Sequence, residues 1–206
     1  PCSRRGLQMS CTAILPDPAR RLWLTAATAA GGAGIVATSV PFVASMAPSE
    51  RARAFGAPVE ADVGSIKPGE LRTVEWRGKP VWVLRRTTGM LESLRSHDDL
   101  LSDPHSSRRG QQPDYARNDL RSVKPDIAVL VAICTHLGCI PSFRPEPGTA
   151  DIGASWPGGF YCPCHGSKFD LAGRVFKNVP APSNLEVPPH HYSGESALHI
   201  GVGPRA

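Results

Sequence analysis

The sequence predicts an all-β domain preceded by one N-terminal transmembrane α-helix. Two observations lead to this prediction. No residue from Leu22 to Ser49 is charged, which is more than the roughly 20 apolar residues that an α-helix needs to cross a bilayer. Beyond residue 60, apolar residues fall in short runs between turn residues, and the 206-residue chain contains 20 Gly and 21 Pro. Short runs with this turn chemistry are typical of β-strands joined by loops.

Residues 1–21 are predicted to form a cytoplasmic arm that carries four arginines and one aspartate. Arg20 and Arg21 lie directly before Leu22-Trp23-Leu24 and resemble a twin-arginine export signal. An ordinary positively charged flank of a membrane span is the other interpretation. In either case the basic excess before the span predicts a cytoplasmic N-terminus and a domain on the opposite side of the membrane.

Residues 22–47 are predicted to be the transmembrane helix, and residues 48–60 a linker. A cleaved signal peptide with Ser45-Met46-Ala47 as its cleavage site is an alternative. Against that alternative, the uncharged run exceeds the usual apolar segment of about 7 to 15 residues in a signal peptide. The composition of the linker, which is Ala, Gly, Ser and charged residues, permits motion of the domain beyond it.

The first strands are predicted from alternation and turn residues. Leu71–Trp76, the turn at Arg77-Gly78 and Pro80–Arg85 indicate a β-hairpin. Thr88 is predicted to cap a short helix over Met90–Arg95. Residues 96–125 are polar and rich in proline, and they predict a surface loop with His97 and His105 in solvent.

The second half of the chain begins with the apolar run Ile127–Cys134, which has the length of a buried strand. The loop Ile140–Gly159 contains four prolines and is predicted to be irregular. Further strands are expected at Arg174–Lys177 and Ala197–Val202. His190 and His191 follow two prolines and are predicted to lie in a surface turn.

Two short segments combine cysteine with histidine at metal-ligand spacing. The first loop is Cys134-Thr135-His136-Leu137-Gly138-Cys139, and the second loop is Cys162-Pro163-Cys164-His165-Gly166-Ser167. Side chains this close in sequence reach one centre from a tight loop. Glycine and proline in both segments fit such loops.

Three kinds of site are compatible with these residues. A framework of disulfides alone leaves both histidines unexplained. A structural zinc site uses Cys2His2, but it leaves Cys139 and Cys164 without a role. An iron–sulfur cluster in which two histidines replace two cysteines uses the same four ligands. The two remaining cysteines could then join the loops.

The two loops resemble those of Rieske iron–sulfur proteins. The extra cysteine pair narrows the resemblance to the Rieske subunits of bacterial quinol:cytochrome c reductases, the cytochrome bc complexes of respiratory chains. The resemblance implies one [2Fe-2S] cluster per chain, with Cys134 and Cys162 on one iron and His136 and His165 on the other. It also implies a disulfide between Cys139 and Cys164. Residues 61–206 would form the antiparallel Rieske domain, with a small cluster-binding subdomain at about residues 133–183.

The same resemblance implies a function in quinol oxidation with coupled proton release, followed by electron transfer to a c-type cytochrome. His165 would be the catalytic residue that hydrogen-bonds the quinol and accepts its proton, and Leu137 would line the docking surface. A cytochrome b subunit would complete the quinol site within a dimeric complex. The chain would then be a single-pass protein of the bacterial inner membrane with its Rieske domain in the periplasm and a mobile hinge at residues 48–60.

Other residues are expected around the cluster by resemblance. Ser167 would donate its hydroxyl hydrogen to a cluster sulfur. Phe169 stands where many members have a tyrosine that donates to a cysteine sulfur. Asn178–Pro182 resembles the proline-rich segment that covers the cluster, although Val179 stands where glycine is common. The full set of surrounding residues is Leu137, Gly138, Gly166, Ser167, Phe169, Pro180 and Pro182.

Two further function classes are compatible with these residues. The chain could be a Rieske electron-transfer subunit of another membrane or periplasmic oxidoreductase, or a zinc-stabilised binding module. Nucleic acid is not an expected partner, although the formal charge is +5 and the pI is near 9.1. The basic excess is concentrated in the first 21 residues, and no basic stripe interleaved with aromatics is present in the sequence.

Overall fold

The computed structural model describes residues 17–204. It divides into two compact units, one ending at Glu50 and the other beginning at Arg51. The second unit contains three antiparallel sheets and little helix, which confirms the predicted fold class. The first 16 residues of the predicted cytoplasmic arm lie outside the described residues.

Helix α1 spans Pro18–Ser45. It begins four residues before the predicted span, because the Asp17 carboxylate accepts a hydrogen bond from Ala19 N at 2.9 Å and proline is favoured at the first helical position. None of its residues is buried in the protein, and it is long and apolar enough to cross a membrane. The segment is therefore suited to anchor the chain in a membrane.

Hydroxyl groups inside α1 are satisfied within the helix. The Thr28 hydroxyl donates to Leu24 O at 2.8 Å, and the Ser39 hydroxyl donates to Ile35 O at 2.7 Å. An unpaired hydroxyl would be costly in hydrocarbon. These bonds explain how a helix rich in threonine and serine remains compatible with a bilayer.

The predicted linker contains regular structure. Helix α2 spans Glu50–Phe55, and strand β1 begins within the linker, at Val59–Asp62. The limits given above for the linker, residues 48–60, and for the Rieske domain, residues 61–206, stay predictions. Strand β1 belongs to a sheet formed with the C-terminal part of the chain, described below.

The predicted hairpin is confirmed. Strands β2 (Leu71–Trp76) and β3 (Lys79–Arg85) pair antiparallel. Arg77 and Gly78 adopt positive φ angles of 53° and 69° at the turn between them, as the tightest hairpin turns require. A Cβ at Gly78 would lie 2.7 Å from Phe55 Cζ, so the glycine also leaves room for the ring at the end of α2.

Helix α3 spans Thr88–Ser93 and differs from its prediction at the cap. Thr87, rather than Thr88, is the capping residue, and its hydroxyl accepts from Met90 N at 3.3 Å. Strand β4 spans Ile127–Val131 and pairs with β3. All five of its residues are buried, which confirms the predicted buried strand.

The two remaining sheets are each three-stranded. One contains β5 (Ser142–Arg144), β6 (Gly159–Cys162) and β7 (Ser167–Phe169), in that order. The other has the order β1-β9-β8, where β8 spans His190–Ser193 and β9 spans Ala197–Ile200. The prediction of an irregular Ile140–Gly159 loop was therefore incomplete, because this segment contains β5.

The central sheet of β2, β3 and β4 packs on both faces. On one face Trp82, Leu84 and Leu130 join a core that includes Phe160 and Phe169 of the β5-β6-β7 sheet. On the other face Val81, Val83 and Val129 pack with Leu198 and Ile200 of the β1-β9-β8 sheet. The ring of Trp82 stacks on Phe160 with centroids 4.5 Å apart. The continuous apolar run of β4 is explained by this burial on both sides.

Three predictions, one about a strand and two about solvated segments, were wrong. Arg174–Lys177 forms no strand within residues 17–204, where Val175 and Phe176 make only isolated bridges to Phe169 and Leu101. Residues 96–125 are not a purely solvated loop, because His97, Leu101, Ala116 and Arg121 are buried. His190 is buried in β8 instead of lying in a surface turn, because its ring packs against Tyr115.

Candidate metal centre

The two cysteine–histidine loops are held by the ends of buried strands. Strand β4 precedes Cys134, strand β6 ends at Cys162 and strand β7 begins at Ser167. The thiols of Cys134 and Cys162 are buried, and both residues belong to the core that contains Trp82 and Phe160. One thiol from each loop is thus positioned by a rigid strand.

The two loops have the same local geometry. Gly138 N donates to Cys134 O at 3.0 Å, and Gly166 N donates to Cys162 O at 2.9 Å. Both glycines have positive φ, 84° and 75°, a conformation that other residues adopt only with strain. Each loop therefore turns back on its first cysteine.

A disulfide joins Cys139 to Cys164, as the resemblance implied. Cys134 N donates to Cys139 O at 2.8 Å. A backbone hydrogen bond therefore also links the disulfide-bonded Cys139 to Cys134, which carries a free thiol. The sulfur of Cys162 lies within 4.8 Å of both bridged sulfurs. Because these two sulfurs are already covalently paired, the thiols left for metal binding within residues 17–204 are Cys134 and Cys162.

The two histidines of the loops lie in contact with each other. The rings of His136 and His165 lie with centroids 4.7 Å apart and planes at 88°. His136 is half-buried, and its Nδ1 is a buried nitrogen with no hydrogen-bond partner among the described residues. His165 is exposed. An unpaired buried nitrogen is costly unless something binds it, and a metal ion would do so.

Burial raises the pKa of the Cys162 thiol, and its neighbour Cys134 raises it further. Backbone hydrogen bonds from Cys164 and His165 to this sulfur act in the opposite direction. Two adjacent buried thiolates would repel each other without a compensating cation. The donor set of two thiols and two imidazoles therefore fits an iron–sulfur centre with mixed ligands.

The proline-rich segment is bonded to both loops. The Thr135 hydroxyl of the first loop donates to Ser183 O at 2.6 Å. Ala181 N, between the exposed Pro180 and Pro182, donates to the fully buried Ser167 hydroxyl oxygen at 3.1 Å. Val179, which belongs to this segment, packs against the core. The two hydrogen bonds hold the segment against both loops.

Two apolar side chains project from the first loop region. Leu137 is 71% exposed and Ile140 is 56% exposed. Leu137 is predicted from the sequence to line a docking surface, and no prediction is made for Ile140. Phe169 has the opposite placement: it is fully buried in β7, opposite Phe160 of β6.

A buried ion-pair network behind the site was not predicted. Arg174 Nε donates to Asp170 Oδ2 at 2.7 Å and Arg174 Nη1 to Asp98 Oδ1 at 2.7 Å, and His97 Nε2 lies 3.4 Å from Asp170 Oδ2. Burial opposes the charge of Asp170, but the bonds from His97 and Arg174 outweigh it and lower the pKa. The prediction of a solvated His97 was wrong because this carboxylate partner lies 73 positions away in sequence.

These features define a protein with two cysteine–histidine loops joined by a disulfide, whose free thiols and imidazoles fit the donor set of an iron–sulfur centre. The chain belongs to the Rieske [2Fe-2S] domain family, whose model matches residues 57–189. Its cofactor is accordingly a [2Fe-2S] cluster, as predicted, rather than zinc.

Several known proteins are similar to this chain. A protein of Allochromatium vinosum named ubiquinol-cytochrome c reductase iron-sulfur subunit is 56% identical over 182 residues, covering 88% of this chain and 87% of that protein. A protein of the same name from Blastochloris viridis is 40% identical and covers 91% and 95%, respectively. A solved chain described as "Hyperthermophilic respiratory Complex III" aligns over 86% of this chain and 98% of its own length, with 28% identity and a TM-score of 0.46.

Proposed function

We propose that this chain is the [2Fe-2S] subunit of a ubiquinol:cytochrome c reductase, oxidising quinol and passing the electron to a c-type cytochrome. The observation that carries the proposal is the 56% identity, over nearly the whole chain, to a protein named as that iron-sulfur subunit. The disulfide-joined loops add support, since they supply four metal ligands and a separate clamp.

The ligands in this proposal are Cys134 and Cys162 on one iron and His136 and His165 on the other. The buried thiols and the more accessible imidazoles support this division, because it puts the histidine side of the centre toward solvent. When bound, a cluster with two histidine ligands accepts one electron at a potential of about −150 to +300 mV.

His165 would take the proton of the reaction. Its imidazole is exposed, so a quinol hydroxyl can reach the ring nitrogen that is not used for metal binding. A neutral imidazole bound to iron through its other nitrogen would carry a hydrogen there and could only donate. In the form that has released this hydrogen as a proton, with the cluster oxidised, that nitrogen would accept the hydrogen bond from the hydroxyl and then its proton. The exposed Leu137, next to His136 in the same loop, would pack against the apolar wall of the quinol site.

A single domain with an exposed histidine leaves the quinol open to water on one side. A cytochrome b subunit would close the site, and a c-type cytochrome would receive the electron within a dimeric complex. The charge bias around α1 supports a cytoplasmic N-terminus and a periplasmic domain in a bacterial inner membrane. A disulfide would be stable in that compartment, and the segment around α2 would act as the hinge.

Purification from native membranes in mild detergent tests the proposal. The chain should co-purify with b- and c-type haem proteins and support quinol-dependent reduction of cytochrome c. Electron paramagnetic resonance of the reduced complex should give a [2Fe-2S] signal. Recovery of the chain alone, or with a different oxidoreductase, would contradict the proposed function.

A variant pair tests the role of the first loop. Leu137→Arg should keep the cluster signal and lower quinol oxidation by at least about tenfold, because it puts a charge into an apolar contact. Val123→Arg is the matched control, since Val123 is also an exposed apolar residue but lies outside both loops. Equal activity of the two variants would argue against docking through Leu137.

A further inference from the structure

Three residues form a row across the β1-β9-β8 sheet. His199 in β9 lies directly opposite His191 in β8 on one side and opposite Glu60 in β1 on the other. Directly paired residues of antiparallel strands project from the same face of a sheet. The neighbouring Ala61, Leu198 and Ile200 are buried in the core. The row therefore lies on the face that does not pack against the central sheet.

The two imidazoles of this row are already in contact. Their centroids are 4.8 Å apart and their planes differ by 13°. His191 Nδ1 lies 3.2 Å from Val202 O, which leaves its Nε2 for another partner. Among residues 17–204, none hydrogen-bonds to the His199 ring, and none forms an ion pair with the exposed Glu60. Both rings are half-exposed.

A pair of stacked histidines contributes little as packing alone. Protonation of both rings would put like charges directly opposite each other, which destabilises a sheet. A divalent cation would instead use both neutral rings. First-row transition metals bind imidazole well, and Zn²⁺ takes nitrogen ligands at about 2.0–2.1 Å in tetrahedral sites.

A chelate requires the three side chains to rotate, because their donor atoms do not lie within 4.8 Å of one another in the structure. Two nitrogens at tetrahedral positions on Zn²⁺ are about 3.3 Å apart, so the rings must tilt toward each other from their 4.8 Å stack. The carboxylate of Glu60 is the third donor in the row, and water would complete the coordination. Two histidines and one carboxylate are a common zinc ligand set.

We propose that Glu60, His191 and His199 bind one divalent first-row transition cation of the Zn²⁺ class, at a site separate from the cluster loops. The cation ties β1 to the β8–β9 hairpin. Because β1 starts only four residues after the end of α2, the bound cation stabilises the strand that follows the linker. Binding of the cation to this sheet does not require the cluster to change its oxidation state.

Calorimetric titration of the cluster-loaded protein with Zn²⁺ tests the proposal. A background with Cys2→Ser and Cys11→Ser removes the two N-terminal thiols as competing ligands, and the visible spectrum of the cluster is recorded throughout. One equivalent should bind with the spectrum unchanged. Mg²⁺, which prefers oxygen ligands, should not bind at the same concentrations.

Matched variants locate the site. His191→Ala and His199→Ala should each weaken Zn²⁺ binding by more than about tenfold, since each removes half of the imidazole chelate. Glu60→Gln should weaken it less. His105→Ala is the control, because His105 is an exposed histidine outside this sheet, and it should bind Zn²⁺ like the parent protein.

Thermal unfolding gives a second readout that does not depend on calorimetry. Zn²⁺ should raise the Tm of the parent protein and of the His105 variant, and not that of His199→Ala. Zinc binding that persists in both sheet variants, or that occurs only as the cluster spectrum is lost, would overturn the proposal.

Discussion

Phe169 is fully buried in β7, and its aromatic ring brings no hydroxyl group to the site. Phe169→Tyr adds a donor two residues after Ser167, and we expect it to reach a cluster sulfur. A hydrogen bond strengthened by roughly 1 kcal/mol on reduction is worth about 40 mV for one electron. Voltammetry should therefore show a potential raised by tens of millivolts, and an unchanged potential would contradict the expectation.

Ser167 has a structural role as well as the expected one toward the cluster. Its oxygen accepts from Ala181 N, and its hydrogen remains free to donate to a sulfur. Ser167→Ala should lower the potential and slow quinol oxidation while the cluster is kept. It should also cost about 1–3 kcal/mol of stability, because a buried amide loses its partner. Ser183→Ala, at a half-exposed serine two positions after Ala181, is the control for both measurements.

Single residues were predictable from sequence where their role depends on close neighbours. The spacing of Cys134, His136, Cys162 and His165 predicts one centre. The structure places the two imidazoles in contact and the two thiols next to each other, and their binding to one centre stays a prediction. His97 was assigned to solvent because no carboxylate lies near it in sequence, yet its partner is Asp170. Distant ion pairs of this kind leave no local pattern.

The turn from Asp170 to Arg174 lies in the predicted cluster-binding subdomain. Through ion pairs it contacts the segment around Asp98, which comes earlier in the chain. Arg174 is fully buried, and its guanidinium bonds Asp170 and Asp98. Arg174→Leu should destabilise the protein by about 3–5 kcal/mol, because it leaves the buried Asp170 carboxylate without its charged partner. Chemical denaturation measures this loss.

The matched control is an exposed ion pair in the same subdomain. Arg144 and Asp151 lie 3.2 Å apart with both side chains about half exposed. Arg144→Leu should cost less than about 1 kcal/mol, because solvent screens such pairs. A similar loss from both variants would mean that the buried network is no more important than a surface pair.

Elements differ in how far sequence predicts them. The β2–β3 hairpin and β4 were found because alternation, a positive-φ turn and a long apolar run are local signals. Strand β5 has three residues inside a proline-rich loop, too few for a period to be seen. The segment Arg174–Lys177 looks like a strand, but the buried Arg174 draws it into an ion-pair network and only bridges form.

The whole molecule divides at Glu50, and this division can be tested by truncation. Helix α1 contributes no buried residue, and the unit that begins at Arg51 is compact. A chain starting at Arg51 should be soluble and keep the [2Fe-2S] resonance signal, while losing membrane attachment. A chain starting at Gly64 is the control: it lacks strand β1 with the buried Ala61, and also the buried Val63 that follows the strand, and should be less stable. Aggregation or cluster loss in the longer chain would contradict this division.

The stability of the whole domain should depend on His190 in mildly acidic solution. Burial lowers the pKa of His190, the nearby His191 lowers it further, and the bond to Pro188 O opposes both. The unfolded chain therefore binds a proton at about pH 6.5, where the native state does not. Stability should fall as the pH drops below about 6.5, and this contribution should level off below the lowered native pKa.

Apparent Tm values between pH 7.5 and pH 5.5 measure this effect. The fall should be smaller in His190→Phe, which cannot titrate and can keep the edge contacts that the His190 ring makes with Tyr115 and Tyr192. His105→Gln removes an exposed imidazole outside this sheet and is the control, which should leave the slope unchanged. Because the cluster ligands are the same in all three chains, their own pH response cancels in the comparison. An identical slope in the parent and His190→Phe would show that another group controls acid stability.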